Sequence, residues 1–154
     1  RGSKNNVLKR YIDCAEKYNV SDIVRITGDC PLVDKNIINN LLDIYKKNNY
    51  DYVSNVTPPT FPDGLDVEII KLTALKKSFA ENKSHLNKEH ITSHIRKDNK
   101  FKKYNMIYNK NNLSKIRWTV DTEKDLKLIK KIAMKFHPKI HFEWGKIYKL
   151  RKFN

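Results

Sequence analysis

Two aspartates stand where a chain of this kind can do chemistry. Asp29 lies in Gly28-Asp29-Cys30-Pro31, directly after the β-branched run at residues 22–27 (DIVRIT), and Asp121 opens Asp121-Thr122 after residues 115–120. Short apolar runs of that composition read as strands, and Gly and Pro break them sharply. Two carboxylates at the C-terminal ends of separate strands can converge on one hard cation. Mg²⁺ takes one or two protein carboxylates and fills its other positions with water and phosphate oxygens. Such a pair suits nucleotidyl transfer, in which the cation neutralises charge building on a phosphate while an oxygen attacks in line and pyrophosphate leaves. The same residues also have a purely structural reading. Asp29 can hold a turn through an Asx bond, and Asp121 can place its charge ahead of a helix N-terminus. Spacing alone leaves both readings open.

The elements that must position these residues alternate. Val7, Leu8, Tyr11, Ala15 and Tyr18 recur at helical spacing over residues 5–18, and Asn19 stops that helix. The strand at 22–27 leads through the Gly-Asp turn to Asp34, an N-cap for a helix over 35–48 with Ile37, Ile38, Leu41, Leu42 and Tyr45 on its apolar stripe. A strand over 50–56 precedes a stiff loop at 57–64 that holds three prolines and Gly64, after which 65–70 resumes a strand pattern. Thr73 caps a helix to about Asn82, and a second helical stretch starts near Asn87 and runs through Ile95. Strands are expected at 104–108 and 115–120. Thr122 and Asp125 then form a capping-box-like start for a helix reaching Phe136, and the tail from Phe142 to Leu150 forms a last short helix. Alternation of this kind predicts an α/β fold with a mostly parallel sheet and helices on both faces. Ligands in such folds sit beyond the C-terminal strand ends, where both Gly28-Asp29 and Asp121-Thr122 fall.

Composition narrows the function classes. A length of 154 residues fits one domain or part of one, with no internal repeat or linker. No apolar run approaches the ~20 residues of a membrane span, and none near the start resembles a signal peptide, so a cytoplasmic protein is expected. Cys14 and Cys30 form neither a disulfide framework nor a zinc spacing. The net charge of +15 raises the alternative of a basic nucleic-acid-binding module. Only six of the 32 basic residues are Arg, however, and the Lys are scattered through every segment. Base-reading surfaces favour Arg, whose planar fork pairs bidentately, whereas scattered Lys makes a solvated face. Helix-turn-helix, zinc-finger and RNP-like signatures are all missing from the sequence.

Several blocks, taken in order, resemble a known family. They are Arg1-Gly2-Ser3 with Val7-Leu8, RITGDCPLVD at 25–34, FPDGLDVE at 61–68, EHIT at 89–92, and RWTVDT at 117–122 with Asp125. Together they resemble the spore-coat polysaccharide biosynthesis type of cytidylyltransferase over about residues 1–135. A more distant likeness is to the 3-deoxy-manno-octulosonate and acylneuraminate cytidylyltransferases. The resemblance implies a nucleotide-diphospho-sugar transferase fold, GT-A or Rossmann-like. The implied reaction transfers CMP from CTP to an acidic or related sugar for cell-surface polysaccharide. It implies Mg²⁺ as the cofactor, with Asp29 and Asp121 as its ligands. Nucleotide contact is implied at Arg25, Gly28 and Asp29. Substrate contact is implied at Asp63, Gly64, Asp66, Glu68, His90 and Arg117. Asp63 and Asp66 can accept hydrogen bonds from hydroxyls while Gly64 allows a close backbone approach, although a plain Pro-Asp-Gly turn reads equally well. Arg117 and Trp118 alternate across a strand, which points one to the site and Trp118 to the core.

The family opens with a strand and a Gly-rich loop bearing Arg and Lys that cradles the triphosphate, and no such loop occurs in residues 1–154. The expectation is therefore a single nucleotidyltransferase domain lacking its N-terminal part, silent with CTP on its own. The expected partners are CTP and a sugar, with no specific nucleic acid, no membrane, and a homodimer as an option. A metal-dependent glycosyltransferase of the same fold is a further alternative, without the close Asp-x-Asp pair usual in those enzymes.

Overall fold

The computed structural model describes residues 2, 6–81 and 91–150. Contacts divide the chain into two compact units: Arg1–Arg25, Ile44–Val53 and Glu68–Tyr104 form the first, and Ile26–Asp43, Ser54–Val67 and Asn105–Asn154 the second. The elements are α1 (Val7–Lys17), β1 (Asp22–Arg25), α2 (Lys35–Asn48), β2 (Tyr52–Ser54), β3 (Glu68–Lys71), α3 (Leu72–Glu81), α4 (Ser93–Lys97), β4 (Lys103–Asn105), α5 (Glu123–Phe136) and α6 (Trp144–Lys149). Among the described residues, no helix is long and apolar enough to cross a membrane.

The α/β class expected from the sequence is the one observed, with a mixed sheet ordered β1-β3-β2-β4. β1 pairs antiparallel with β3, Ile23 opposite Ile70 and Arg25 opposite Glu68. Tyr52 N donates to Lys102 O and Met106 N to Ser54 O, the slanted pattern of a parallel pair between β2 and β4. The sheet is not the mostly parallel one expected, because β3 is antiparallel to β2 as well, with Lys71 N donating to Asp51 O at 3.0 Å and Asn55 N to Val67 O at 3.4 Å, and no helix intervenes between those two strands. Without a crossover helix, a loop returns the chain beside the strand it left.

In the first unit, the apolar face of α1 (Leu8, Ile12, Ala15) is buried. Leu8 and Ile12 pack with Tyr52, Ile70, Leu75, Ile91, Ile95 and Phe101 in one cluster. Each fully buried Leu or Ile contributes roughly 1.5–3 kcal/mol to the fold. The end of α1 is set locally, since Asn19 adopts φ 51°, a left-handed conformation that Asn tolerates and that ends the helix. Tyr18, expected on the buried stripe, is the C-cap and is exposed. The helix expected from Asn87 through Ile95 falls partly outside the described residues; of its described part, 91–92 form a turn and 93–95 belong to α4, which continues to Lys97.

In the second unit, Asp34 does more than cap α2. One carboxylate oxygen accepts from Asn36 N at 2.7 Å, and the other from Trp144 N at 2.7 Å, the first residue of α6. A single buried side chain thus satisfies N–H groups at two helix starts. α5 begins on the expected capping box, with Thr122 Oγ1 accepting from Asp125 N and Asp125 Oδ2 accepting from Thr122 N. Of residues 115–120, expected as a strand, Lys115 belongs to a turn and 116–120 pair with loops. Asp63 N donates to Ile116 O at 2.9 Å, Trp118 N donates to Asp63 O at 2.8 Å, and Val120 N donates to Asp29 O at 2.9 Å. Each loop supplies one or two ladder bonds, too few to make a strand of the segment, and only the parallel bridge Asp63–Arg117 remains.

Candidate functional site

The second unit carries the acidic loops. The 27–30 turn is closed by Cys30 N donating to Thr27 O at 3.2 Å. Backbone pairing of Val120 with Asp29 then holds the Asp29 loop next to the residue preceding Asp121. The 61–66 loop joins the same extended segment through Asp63. Two loops distant in sequence, bearing Asp29 and Asp63, are therefore anchored along residues 116–120, which lead directly into Asp121. The Cys30 thiol registers this gathering: burial pushes its pKa up, the Thr27 hydroxyl opposes that, and the Asp29, Asp66 and Asp63 carboxylates raise it further. Cys30 stays a protonated, buried filler, in line with its expected packing role.

The 57–66 loop is rigid for reasons that sequence reading does not reach. Asn55 is buried and clamps the loop base, its amide donating to Leu65 O at 2.9 Å and accepting from Val67 N at 2.9 Å. Asn105 holds the far side by accepting from Thr57 N at 2.9 Å and donating to Pro58 O at 3.0 Å. Phe61, Tyr108 and Trp144 form an aromatic triad, with ring centroids 5.1–5.7 Å apart. Gly64 adopts φ +104°, and a Cβ there would lie 2.8 Å from the Trp118 carbonyl carbon. The close approach that Gly64 permits is thus to the backbone of Trp118 and Thr119. Trp118 itself is fully buried, as expected.

Arg117 lies among three carboxylates. Nε is 3.8 Å from Asp63 Oδ2, Nη1 donates to Asp125 Oδ1 at 2.9 Å, and Nη2 donates to Asp121 Oδ2. Asp125 is the fixed member. Its Oδ2 accepts from Asp121 N at 3.1 Å and from Thr122 N and Thr122 Oγ1 at 2.9 Å each. The Thr122 hydroxyl first, then the Asp121 backbone amide, Arg117 and the Thr122 amide, hold its pKa down to about 2 against the smaller opposing effect of burial. Hydrogen bonding to Asp125 raises the Arg117 pKa in turn, with Asp121 and Asp63 adding to it. Sequence reading placed Arg117 toward the site without finding these partners. The i,i+4 spacing of Arg117 and Asp121, and the position of Asp125 in the capping box, were the available signals.

The remaining expected residues fall elsewhere. Arg25 and Glu68 belong to the first unit, where they face each other across β1 and β3. Glu68 is buried, accepting from Arg25 Nη1 and from Tyr52 OH at 2.5 Å. Both therefore have internal partners that neutralise a carboxylate taken out of water. Gly28 has open space where a Cβ would stand. His90 lies outside the described residues. Glu81, His94 and Asp98, not anticipated from sequence, bring three potential metal-binding atoms within 4.8 Å of one another in the first unit.

The two aspartates proposed as ligands offer oxygen donors only. Such a set suits a hard cation and not a soft one, so Asp29 and Asp121 fit Mg²⁺ in kind. The Asp121 side chain is 59% exposed, which leaves room for water and phosphate oxygens.

The α/β fold is that of a nucleotidyltransferase, as its match to a solved cytidylyltransferase shows. The chain belongs to the Cytidylyltransferase family, which it matches over residues 1–149. It is 34% identical over 138 residues to an uncharacterized protein of Methanocaldococcus jannaschii, covering 88% of this chain and 56% of that protein. It is 26% identical over 143 residues to the spore coat polysaccharide biosynthesis protein SpsF of Bacillus subtilis, with the same coverage of 88% and 56%. Among solved structures, a cytidylyltransferase from Leptospira borgpetersenii matches with a TM-score of 0.90 at 33% identity, over 99% of this chain and 64% of that one. The chain thus spans a little over half the length of the curated relatives it matches.

Proposed function

We propose that the whole protein transfers CMP from CTP to an acidic or related sugar, releasing pyrophosphate, in the cytoplasm and in the service of cell-surface polysaccharide synthesis. The observation that carries this reading is the Val120–Asp29 backbone bond, which brings the two aspartates singled out by the sequence onto adjoining loops in a chain of the Cytidylyltransferase family. In the reaction, a sugar oxygen forms a bond to the α-phosphorus of CTP as the bond from that phosphorus to the bridging oxygen of pyrophosphate breaks. The proton of the attacking hydroxyl leaves to solvent or a nearby base.

Asp29 and Asp121 would hold Mg²⁺, which when bound supplies positive charge against the charge developing on the phosphate. Asp63 and Asp66 accept hydrogen bonds from sugar hydroxyls on a loop that Asn55, Asn105 and the aromatic triad keep fixed, so that the acceptor oxygen is aimed and not merely tethered. Gly28 leaves open space beside Asp29 in which the nucleotide can come close to the backbone. His90 is a further candidate for sugar contact.

The test is to replace each ligand in the full-length protein and follow pyrophosphate release from CTP with a panel of acidic sugars. Asp29→Asn and Asp121→Asn should each lower turnover by on the order of a hundredfold or more while leaving the circular dichroism spectrum unchanged. Near wild-type turnover in either variant would remove that residue from the metal site.

A further inference from the structure

The guanidinium of Arg117 lies against the Asp121 carboxylate, the group proposed above as a cation ligand. It reaches Asp121 Oδ2 through Nη2 and Asp63 Oδ2 through Nε, and it is held in place by the bond from Nη1 to Asp125 Oδ1 at 2.9 Å. Asp125 cannot turn away to release it, because its other oxygen is committed to the start of α5 through three bonds from Asp121 N, Thr122 N and Thr122 Oγ1. The backbone of Arg117 is fixed as well, by the two bonds that Asp63 makes to Ile116 and Trp118. A positive charge is thus mounted on a rigid base beside the proposed metal ligand.

We propose that Arg117 is a positioning residue that competes with the divalent cation for Asp121. On this proposal the arginine keeps the Asp121 carboxylate oriented and neutralised, and it holds metal affinity low until a nucleotide brings phosphate oxygens of its own to the cation. This deepens the reading above and rests on Asp121 being a ligand. The opposite expectation, that Arg117 serves only the fold, predicts that its loss loosens the loops and weakens metal binding.

The arginine side chain is 44% exposed, so solvent screens much of the interaction. A unit charge a few ångströms from a divalent ion in partly screened surroundings changes its affinity by roughly threefold to tenfold at low ionic strength. The experiment is Mn²⁺ binding to the full-length protein without nucleotide, followed by electron paramagnetic resonance, for wild type, Arg117→Gln, Arg117→Lys and Asp121→Asn. Arg117→Gln should bind Mn²⁺ threefold to tenfold more tightly than wild type, and Arg117→Lys, which keeps the charge but loses the planar fork that bridges Asp121 and Asp125, should fall between the two. Asp121→Asn should lose at least tenfold. If Arg117→Gln binds no more tightly than wild type, or more weakly, while Asp121→Asn loses binding, the competition is wrong and the metal site stands. If Asp121→Asn binds like wild type, the metal-site reading itself fails, and this proposal with it.

Discussion

Gly64 offers the sharpest test of how the acidic loops are built. Replacing it by alanine puts a Cβ 2.8 Å from the Trp118 carbonyl carbon, 2.9 Å from its oxygen and 3.0 Å from Thr119 N. All three atoms are backbone, so no flexible side-chain tip can swing away. The residue's φ of +104° adds conformational strain that L side chains rarely accept. Strain of this type costs about 1–3 kcal/mol, and overpacking against fixed atoms costs about 1–3 kcal/mol more. The sum is about 2–6 kcal/mol, against a total stability usually of ~5–15 kcal/mol. Gly28→Ala is the built-in comparison, because nothing lies within 4 Å of the position its added methyl would take and its φ is outside the strained range. Urea denaturation of the full-length protein, followed by tryptophan fluorescence, should show a midpoint lower by about 1 M or more for Gly64→Ala and little change for Gly28→Ala. Equal midpoints for wild type and Gly64→Ala would mean that the 61–66 loop does not pack on residues 118–119 as described.

Two further predictions concern charge. The Asp125 pKa is held near 2, below the usual carboxylate value near 4, so its contribution to stability is fully present above about pH 4 and is lost as the pH falls through about 2. Asp125→Asn should therefore show a shallower loss of stability than wild type between pH 4 and pH 2 in acid titrations monitored by circular dichroism, and identical slopes would refute the assignment. Binding to DNA or RNA should be without sequence preference and should collapse between low and physiological salt, as expected for scattered Lys acting through counterion release. A salt-resistant, sequence-selective complex in a filter-binding assay would reverse the order of the functional readings.

What the sequence made legible was mostly local. Asn19 as a helix stop and the Thr122–Asp125 capping box depend on a few neighbouring residues, and both appear as expected. Trp118 in the core follows from its size and its place in an alternating run. Long-range pairing was another matter. Residues 115–120 have the composition of a strand, but composition does not say whether a partner strand lies beside them, and here loops do. The apolar spacing of α1 pointed to Tyr18, whose ring is solvent-facing because the helix has already ended, and passed over Ile12, which is buried. The aspartates at 29 and 121 stood out because each follows an apolar run. The full set of Arg117 partners did not, since Asp63 joins the nearby Asp121 and Asp125 there only once the chain is folded.

The double role of Asp34 sets an unusual rule for what position 34 will tolerate. Its two oxygens each receive one amide, from Asn36 and from Trp144, residues that are far apart along the chain. Asparagine is the nearest replacement in shape, yet it has a single acceptor oxygen, and its NH₂ would face an amide N–H that also donates. Serine and threonine are good N-caps elsewhere, but their one short hydroxyl cannot span both helix starts. The usual interchange among capping residues is therefore closed at this position, and the C-terminal helix and the turn after Asp29 are bound to change together or not at all.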